Sequence, residues 1–269
     1  MIRMESFKYL RGVALCWILL PGVLAVLVSC QKPREATIPI LFQYVLGPDL
    51  AANKALIVFL PGNGDPVDRF GDPVILDLIE RTGVAADVLA VDAHLGYYQN
   101  QTLVQRLKDD VIDPARAAGY EDIWIIGNSL GGLGALYYMK FHPQDIRGAL
   151  LLGPFLGFEE IIQEIDRAGG VRNWNPGMIQ PDDWEREFWR WVRDEVATDF
   201  SRNQIYLGFG NRDRLIWGQK LLAAVLPPGQ VVQIEGGHDW KTWHRLLEEF
   251  LSGNKGLSDG APAFPRRRF

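Results

Sequence analysis

The stretch that most constrains this chain is Ile123-Trp124-Ile125-Ile126-Gly127-Asn128-Ser129-Leu130-Gly131-Gly132. An apolar run ends in Gly-x-Ser-x-Gly and continues as Leu133-Gly134-Ala135-Leu136-Tyr137-Tyr138-Met139-Lys140. This spacing predicts a strand, a sharp turn and a helix. A turn that tight leaves room only for small neighbours, which Gly127 and Gly131 supply. Ser129 then stands clear of the sheet, above a helix N-terminus that favours developing negative charge. A glycine-rich turn with an incidental serine would share the pattern, so the rest of the chain has to decide.

Apolar runs and helical patterns alternate on both sides of that turn. Strands are expected at Ile38–Val45, Ala55–Leu60, Asp87–Val91, Ile146–Leu152, Gln204–Gly210 and Gln230–Ile234. Helices are expected at Val67–Arg81, Leu103–Ala118, Leu215–Leu226 and His238–Leu251. Such alternation predicts an α/β fold, a mostly parallel sheet with helices on both faces. At 269 residues, 48% of them hydrophobic, the chain has material for one such core. Sites in these sheets form at the carboxyl ends of the strands. Gly62–Asp65, Ser129, Asp213 and His238 all fall there.

A serine hydroxyl is a poor nucleophile until an imidazole takes its proton and a carboxylate orients that imidazole. Of four histidines, His94 lies in a loop, His142 closes the far end of the serine helix and His244 is inside the last helix. His238, in Glu235-Gly236-Gly237-His238-Asp239-Trp240, follows the final strand and is the expected base. Asp213, in Gly210-Asn211-Arg212-Asp213, follows the penultimate strand and is the expected orienting acid, with Glu159 and Glu160 as alternatives. Asp213 would equally suit a helix cap.

The ordered set Gly127-Asn128-Ser129-Leu130-Gly131, Gly210-x-x-Asp213, Gly237-His238 resembles the α/β-hydrolase fold superfamily, in its serine esterase and lipase-like form. The resemblance spans residues 38–251 apart from an insertion. It implies a serine hydrolase cleaving a carboxylic ester or related acyl bond of a small-molecule substrate, with no cofactor and no metal. It also implies an oxyanion hole from the backbone N–H groups of Leu130 and Asn63. The family often has His-Gly where this chain has Pro61-Gly62, so Gly64 stays open as the second donor. An amidase or peptidase would use the same three side chains, and a non-catalytic binding protein on this scaffold is the remaining alternative.

The insertion, about residues 158–203, carries no strand pattern and is expected as a helical cap. Asp182 and Asp183 suit a helix start. Trp184, Phe188, Trp191 and Val192 share one face. Trp189 lies off that stripe and is expected at a substrate entrance, with Tyr97 and Tyr98 shaping an apolar pocket.

The ends of the chain read differently. Arg3, Lys8 and Arg11 precede an apolar run from Val13 to Val28, which closes at Leu27-Val28-Ser29-Cys30. This resembles a bacterial lipoprotein signal peptide over residues 1–29. The resemblance implies cleavage before Cys30, lipid on its sulfur and a membrane anchor in the cell envelope. Gln31 favours the outer membrane, facing the periplasm. An ordinary cleaved signal or an uncleaved membrane helix remain alternatives. Residues 30–37 are expected as a tether, and 252–269, ending Arg266-Arg267-Arg268-Phe269, as a disordered tail. With Cys16 removed and Cys30 lipidated, no cysteine remains for an internal disulfide. The net charge is −5, and −7 without the +2 of the first 29 residues, which speaks against a nucleic-acid partner. The sequence leaves the oligomeric state open.

Overall fold

The computed structural model describes residues 34–46, 54–198 and 204–253. The expected signal peptide, Cys30, the first residues of the tether and the tail beyond Gly253 lie outside these. Among the described residues no helix is long and apolar enough to cross a membrane.

Seven strands form one sheet in the order β1-β3-β2-β4-β5-β6-β7. They are β1 (Phe42–Leu46), β2 (Ala55–Leu60), β3 (Ala86–Val91), β4 (Asp122–Asn128), β5 (Gly148–Leu152), β6 (Gln204–Gly210) and β7 (Val231–Ile234). Only β1 runs antiparallel, against β3. It begins at Phe42 rather than Ile38. Pro39 has no N–H for a ladder, and the Ile40 N–H donates to the Asp110 carboxylate instead (2.8 Å). The segment just before it lies against the domain: Arg34 pairs with Asp92, and the Thr37 N–H donates to the Tyr97 hydroxyl (3.1 Å).

The central strands are buried on both faces, which is why they read as unbroken apolar runs. In β2, Ile57 and Phe59 point to one side, and Leu56, Val58 and Leu60 to the other. The first side is covered by α1 (Pro73–Arg81) and α9 (Trp240–Ser252), through Ile75, Leu78, Leu246 and Phe250. The second is covered by α2 (Leu95–Gln99), α3 (Leu103–Leu107), α4 (Asp113–Ala118), α5 (Leu130–Phe141) and α8 (Ile216–Ala223). A π-helical turn, Lys108–Ile112, joins α3 to α4. The helix expected from Val67 starts later: Val67–Gly71 forms a 3₁₀ turn, after which Asp72 caps α1 and Pro73 takes its first position.

The insertion holds α6 (Glu159–Arg167) and α7 (Trp184–Trp191), the latter capped by Asp183, which accepts from the Arg186 N–H. Trp174, Phe188, Trp191 and Val192 join the same core as α5 and α8. Trp189 does not line an entrance. It is fully buried, and its indole N–H donates to the Leu156 carbonyl (2.9 Å). A buried indole usually has such a partner, and here the loop after β5 provides it.

Candidate active site

Ser129 sits between β4 and α5 with φ 50° and ψ −115°. A positive φ on a residue with a Cβ costs about 1–3 kcal/mol and persists only where neighbours enforce it. Here the enforcement is backbone packing. A Cβ on Gly127 would lie 2.2 Å from the Gly131 carbonyl oxygen, and one on Gly131 would lie 2.0 Å from that of Leu60. The Ser129 N–H donates to Leu152 O (3.0 Å), and its own carbonyl accepts from Phe155 N–H (2.9 Å). The elbow is therefore fixed to β5 on one side and β2 on the other.

His238 and Asp213 are brought together by a zip between two loops. Past β6, the Asn211 N–H donates to Ile234 O and the Arg212 N–H to Gly236 O, each at 2.8 Å. A Cβ on Gly210 would lie 2.3 Å from the Gly236 carbonyl oxygen. So close a seam presents Asp213 to the His238 ring. The ring Nδ1 lies 2.9 Å from both Asp213 oxygens. The Asp213 side chain is fully buried and also accepts from the Leu215 N–H (2.8 Å). Facing a carboxylate that only accepts, the tautomer with the proton on Nδ1 is the one that satisfies both groups, and it would leave Nε2 as an acceptor. Nε2 stands 2.9 Å from Ser129 Oγ. The Trp243 ring meets the imidazole edge-on, centroids 5.0 Å apart.

A cleft of about 270 Å³ opens over these atoms, lined by Gly62, Asn63, Ser129, Arg214, His238 and Trp240 among others. Asn63 and Gly64 form the exposed tip of a tight turn, closed by Asp65 N–H to Gly62 O (3.1 Å), with Gly64 at φ 86°. Leu130 opens α5, so its N–H belongs to the first turn, which has no intrahelical acceptor. A second groove of about 450 Å³ runs between α6 and α8 over Leu156, Ile162, Trp217 and Leu221, and shares Arg214 with the cleft.

The remaining sequence candidates sit elsewhere. Glu159 and Glu160 are exposed at the start of α6. His94 caps α2, accepting from Gly96 N–H (3.2 Å). Tyr97 is buried and bonded to Thr37, while the Tyr98 hydroxyl donates to Leu130 O (3.1 Å). Neither tyrosine lines the cleft. Among the described residues no cluster suited to a metal ion occurs.

Sequence reading missed Asn128, Asp65 and Trp240. Asn128 Oδ1 accepts from Gly62 N–H (3.1 Å), and its Nδ2 donates to Asp65 Oδ2 (2.9 Å). Asp65 Oδ1 accepts from the Trp240 indole (3.1 Å). The available signal was a polar residue at the buried end of β4.

A family model described as "Alpha/beta hydrolase family" matches residues 57–268. No curated protein sequence matches the chain. Among solved structures it is similar to S-formylglutathione hydrolase from Staphylococcus aureus, at 13% identity and a TM-score of 0.53, covering 82% of this chain and 98% of that one. It is also similar to a ferulic acid esterase (16%, TM-score 0.53, covering 80% and 96%). A third is a fluorophosphonate-binding serine hydrolase of S. aureus (14%, TM-score 0.52, covering 84% and 96%). At these identities the likeness speaks for the fold.

Proposed function

The chain belongs to the alpha/beta hydrolase family, and from that premise we propose that it is a serine hydrolase cleaving a carboxylic ester or related acyl bond. One observation carries this reading: an unbroken line from Asp213 through His238 to a strained Ser129, with 2.9 Å at each link.

In this mechanism Ser129 Oγ attacks the substrate carbonyl carbon as His238 Nε2 takes its proton. The carbonyl oxygen becomes an oxyanion, received by the backbone N–H groups of Leu130 and Asn63. Removing one such donor typically costs about 2.7–4 kcal/mol of transition-state stabilisation. The acyl–oxygen bond then breaks, and the leaving alcohol takes the proton from His238. Water, deprotonated by the same ring, attacks the acyl-enzyme, releases the acid and restores Ser129. Asp213 holds the ring in the tautomer that makes Nε2 the base.

The test is turnover of nitrophenyl esters of graded acyl length, run beside peptide substrates and with fluorophosphonate labelling. Ester turnover that disappears in Ser129→Ala, with labelling confined to Ser129, is the expected result. Undiminished turnover in that variant removes the proposal, and turnover of peptides alone moves it to a peptidase.

For the N-terminus we propose lipidation of Cys30 and an envelope membrane anchor, on the strength of the charged, apolar and Leu-Val-Ser-Cys segments. Labelled palmitate should enter the wild type and be absent from Cys30→Ala. Equal labelling of both refutes it.

A further inference from the structure

We propose that Asn128 and Asp65 are positioning residues: together they hold the Gly62–Asp65 turn at the distance from Ser129 that an oxyanion donor requires. The inference rests on the serine-hydrolase reading above.

Apart from the backbone bond that closes it, Asp65 N–H to Gly62 O, the turn has little else to hold it. Asn63 and Gly64 are exposed, and a Cβ added to Gly64 would meet nothing within 4 Å. Its two ends are tied by side chains. Asn128, fully buried and next to the serine, accepts from Gly62 N–H and donates to Asp65. The two bonds bracket Asn63, whose amide is the expected donor. They admit a single orientation of the Asn128 amide, because Gly62 N–H needs an oxygen and the Asp65 carboxylate needs an N–H. The space beside Gly62 is filled by the same groups: a Cβ there would lie 2.8 Å from both Asn128 Nδ2 and Asp65 Oδ2, and 3.3 Å from Ser129 Cβ.

Asp65 also reaches the other half of the site. Its second oxygen accepts from Trp240, two residues after His238. The Trp240 ring packs on Trp243 (5.3 Å), which in turn edges the His238 ring. One carboxylate thus links the turn to the segment that carries the base.

Oxyanion donors act only within about 2.7–3.1 Å of the charge, and a misplacement near 1 Å costs about a hundredfold in rate. A loosened turn therefore lowers kcat and leaves ground-state binding nearly untouched. A merely structural network would lower the melting temperature and leave the activity of the folded fraction unchanged.

The test exchanges the two side chains. In Asp65→Asn a single amide oxygen faces two donors, so one bond is lost. In Asn128→Asp two carboxylates face each other. In the double exchange every bond is rewritten: residue 128 accepts from Gly62 N–H and from the new amide at 65, whose oxygen accepts from Trp240. Each single variant should lose about 10–100-fold in kcat with KM within about threefold. The double exchange should retain a kcat at least about tenfold above the value that the product of the single defects would give. The inhibition constant of a boronic acid, which forms a tetrahedral adduct on Ser129, should rise in step with the loss of kcat/KM. Trp240→Phe removes one link at lower structural risk and should lose about three- to tenfold in kcat alone.

Unchanged kcat in the folded variants, a rise confined to KM, or no recovery in the exchange each overturns the inference. If Trp240→Phe is the only variant to fold, its kcat decides. Wild-type protein that labels with fluorophosphonate while the series stays flat loses this inference only. Wild type that fails to label loses the serine-hydrolase reading itself.

Discussion

Ser129 is held at a positive φ by glycines whose missing side chains let three backbones touch. Gly131→Ala drives a methyl into the Leu60 carbonyl, where no side chain can yield. The expected cost is at least the roughly 1–3 kcal/mol of an overpacked core, read as a lower denaturation midpoint or as loss of soluble protein. Asp213 carries a separate prediction. Asp213→Asn keeps the shape and an acceptor for the Leu215 N–H, but its amide no longer obliges Nδ1 to carry the proton. With Nε2 protonated, His238 cannot accept from Ser129, and kcat should fall by about 10⁴-fold with folding intact by circular dichroism. Ser129, Asp213 and His238 were legible because each follows an apolar strand in the order that brings it to one edge of the sheet. Asp65 was not. Its partners are 63 and 175 residues away, and no local pattern marks a side chain whose role is set by contacts that distant.

At the scale of elements, α9 joins site to scaffold. It begins at Trp240 rather than His238, because Asp239 caps it by accepting from the Thr242 N–H (2.9 Å) and hydroxyl (3.0 Å). The cap leaves His238 in the loop, free to face Ser129. The bond from the Thr242 amide, ahead of its hydroxyl, holds the Asp239 carboxyl below its ordinary range despite opposing desolvation. A lowered carboxyl adds stability above its unfolded pKa, near 4, and that stability is lost as pH falls through the folded value. Asp239→Asn keeps a capping oxygen and cannot titrate. Wild type should be the more stable at pH 7, and the gap in melting temperature should close below about pH 4. One turn on, burial lowers the His244 pKa, so the folded state prefers the neutral ring. A base lowered in this way adds stability above its unfolded pKa, about 6.5, and loses it as pH falls below that value. His244→Phe, suited to the ring contact with Trp240 at 5.5 Å, should flatten that part of the stability curve. A variant curve parallel to wild type from pH 7 to 5 would show that another group sets the slope.

For the molecule as a whole, the question is whether α6 and α7 act as a separate lid or as part of the body. The expected stripe of Trp184, Phe188, Trp191 and Val192 describes a helix resting by one face on the domain beneath. Sequence periodicity recognises one face at a time, and it left Trp189 off that face, at a substrate entrance. In the structure Phe188 and Trp189 are both fully buried, so α7 is enclosed from two directions. Ile161, Ile165, Trp174 and Trp191 share one apolar cluster with Leu133 and Leu136 of α5, the helix that Ser129 begins. Lifting α7 would expose several large side chains, each worth about 1.5–3 kcal/mol when fully buried, together with the indole N–H now bonded to Leu156. Several such side chains together are comparable with the roughly 5–15 kcal/mol of global unfolding of a typical domain, whereas a working lid opens at far lower free energy. Amide hydrogen exchange should therefore find α7 as protected as α5, and Trp189→Ala should destabilise the whole domain by about 3–5 kcal/mol. Exchange of α7 that is fast while α5 stays protected would instead identify a lid. On the proposed function, a substrate would reach Ser129 through the cleft lined by Gly62, Asn63, Arg214 and Trp240.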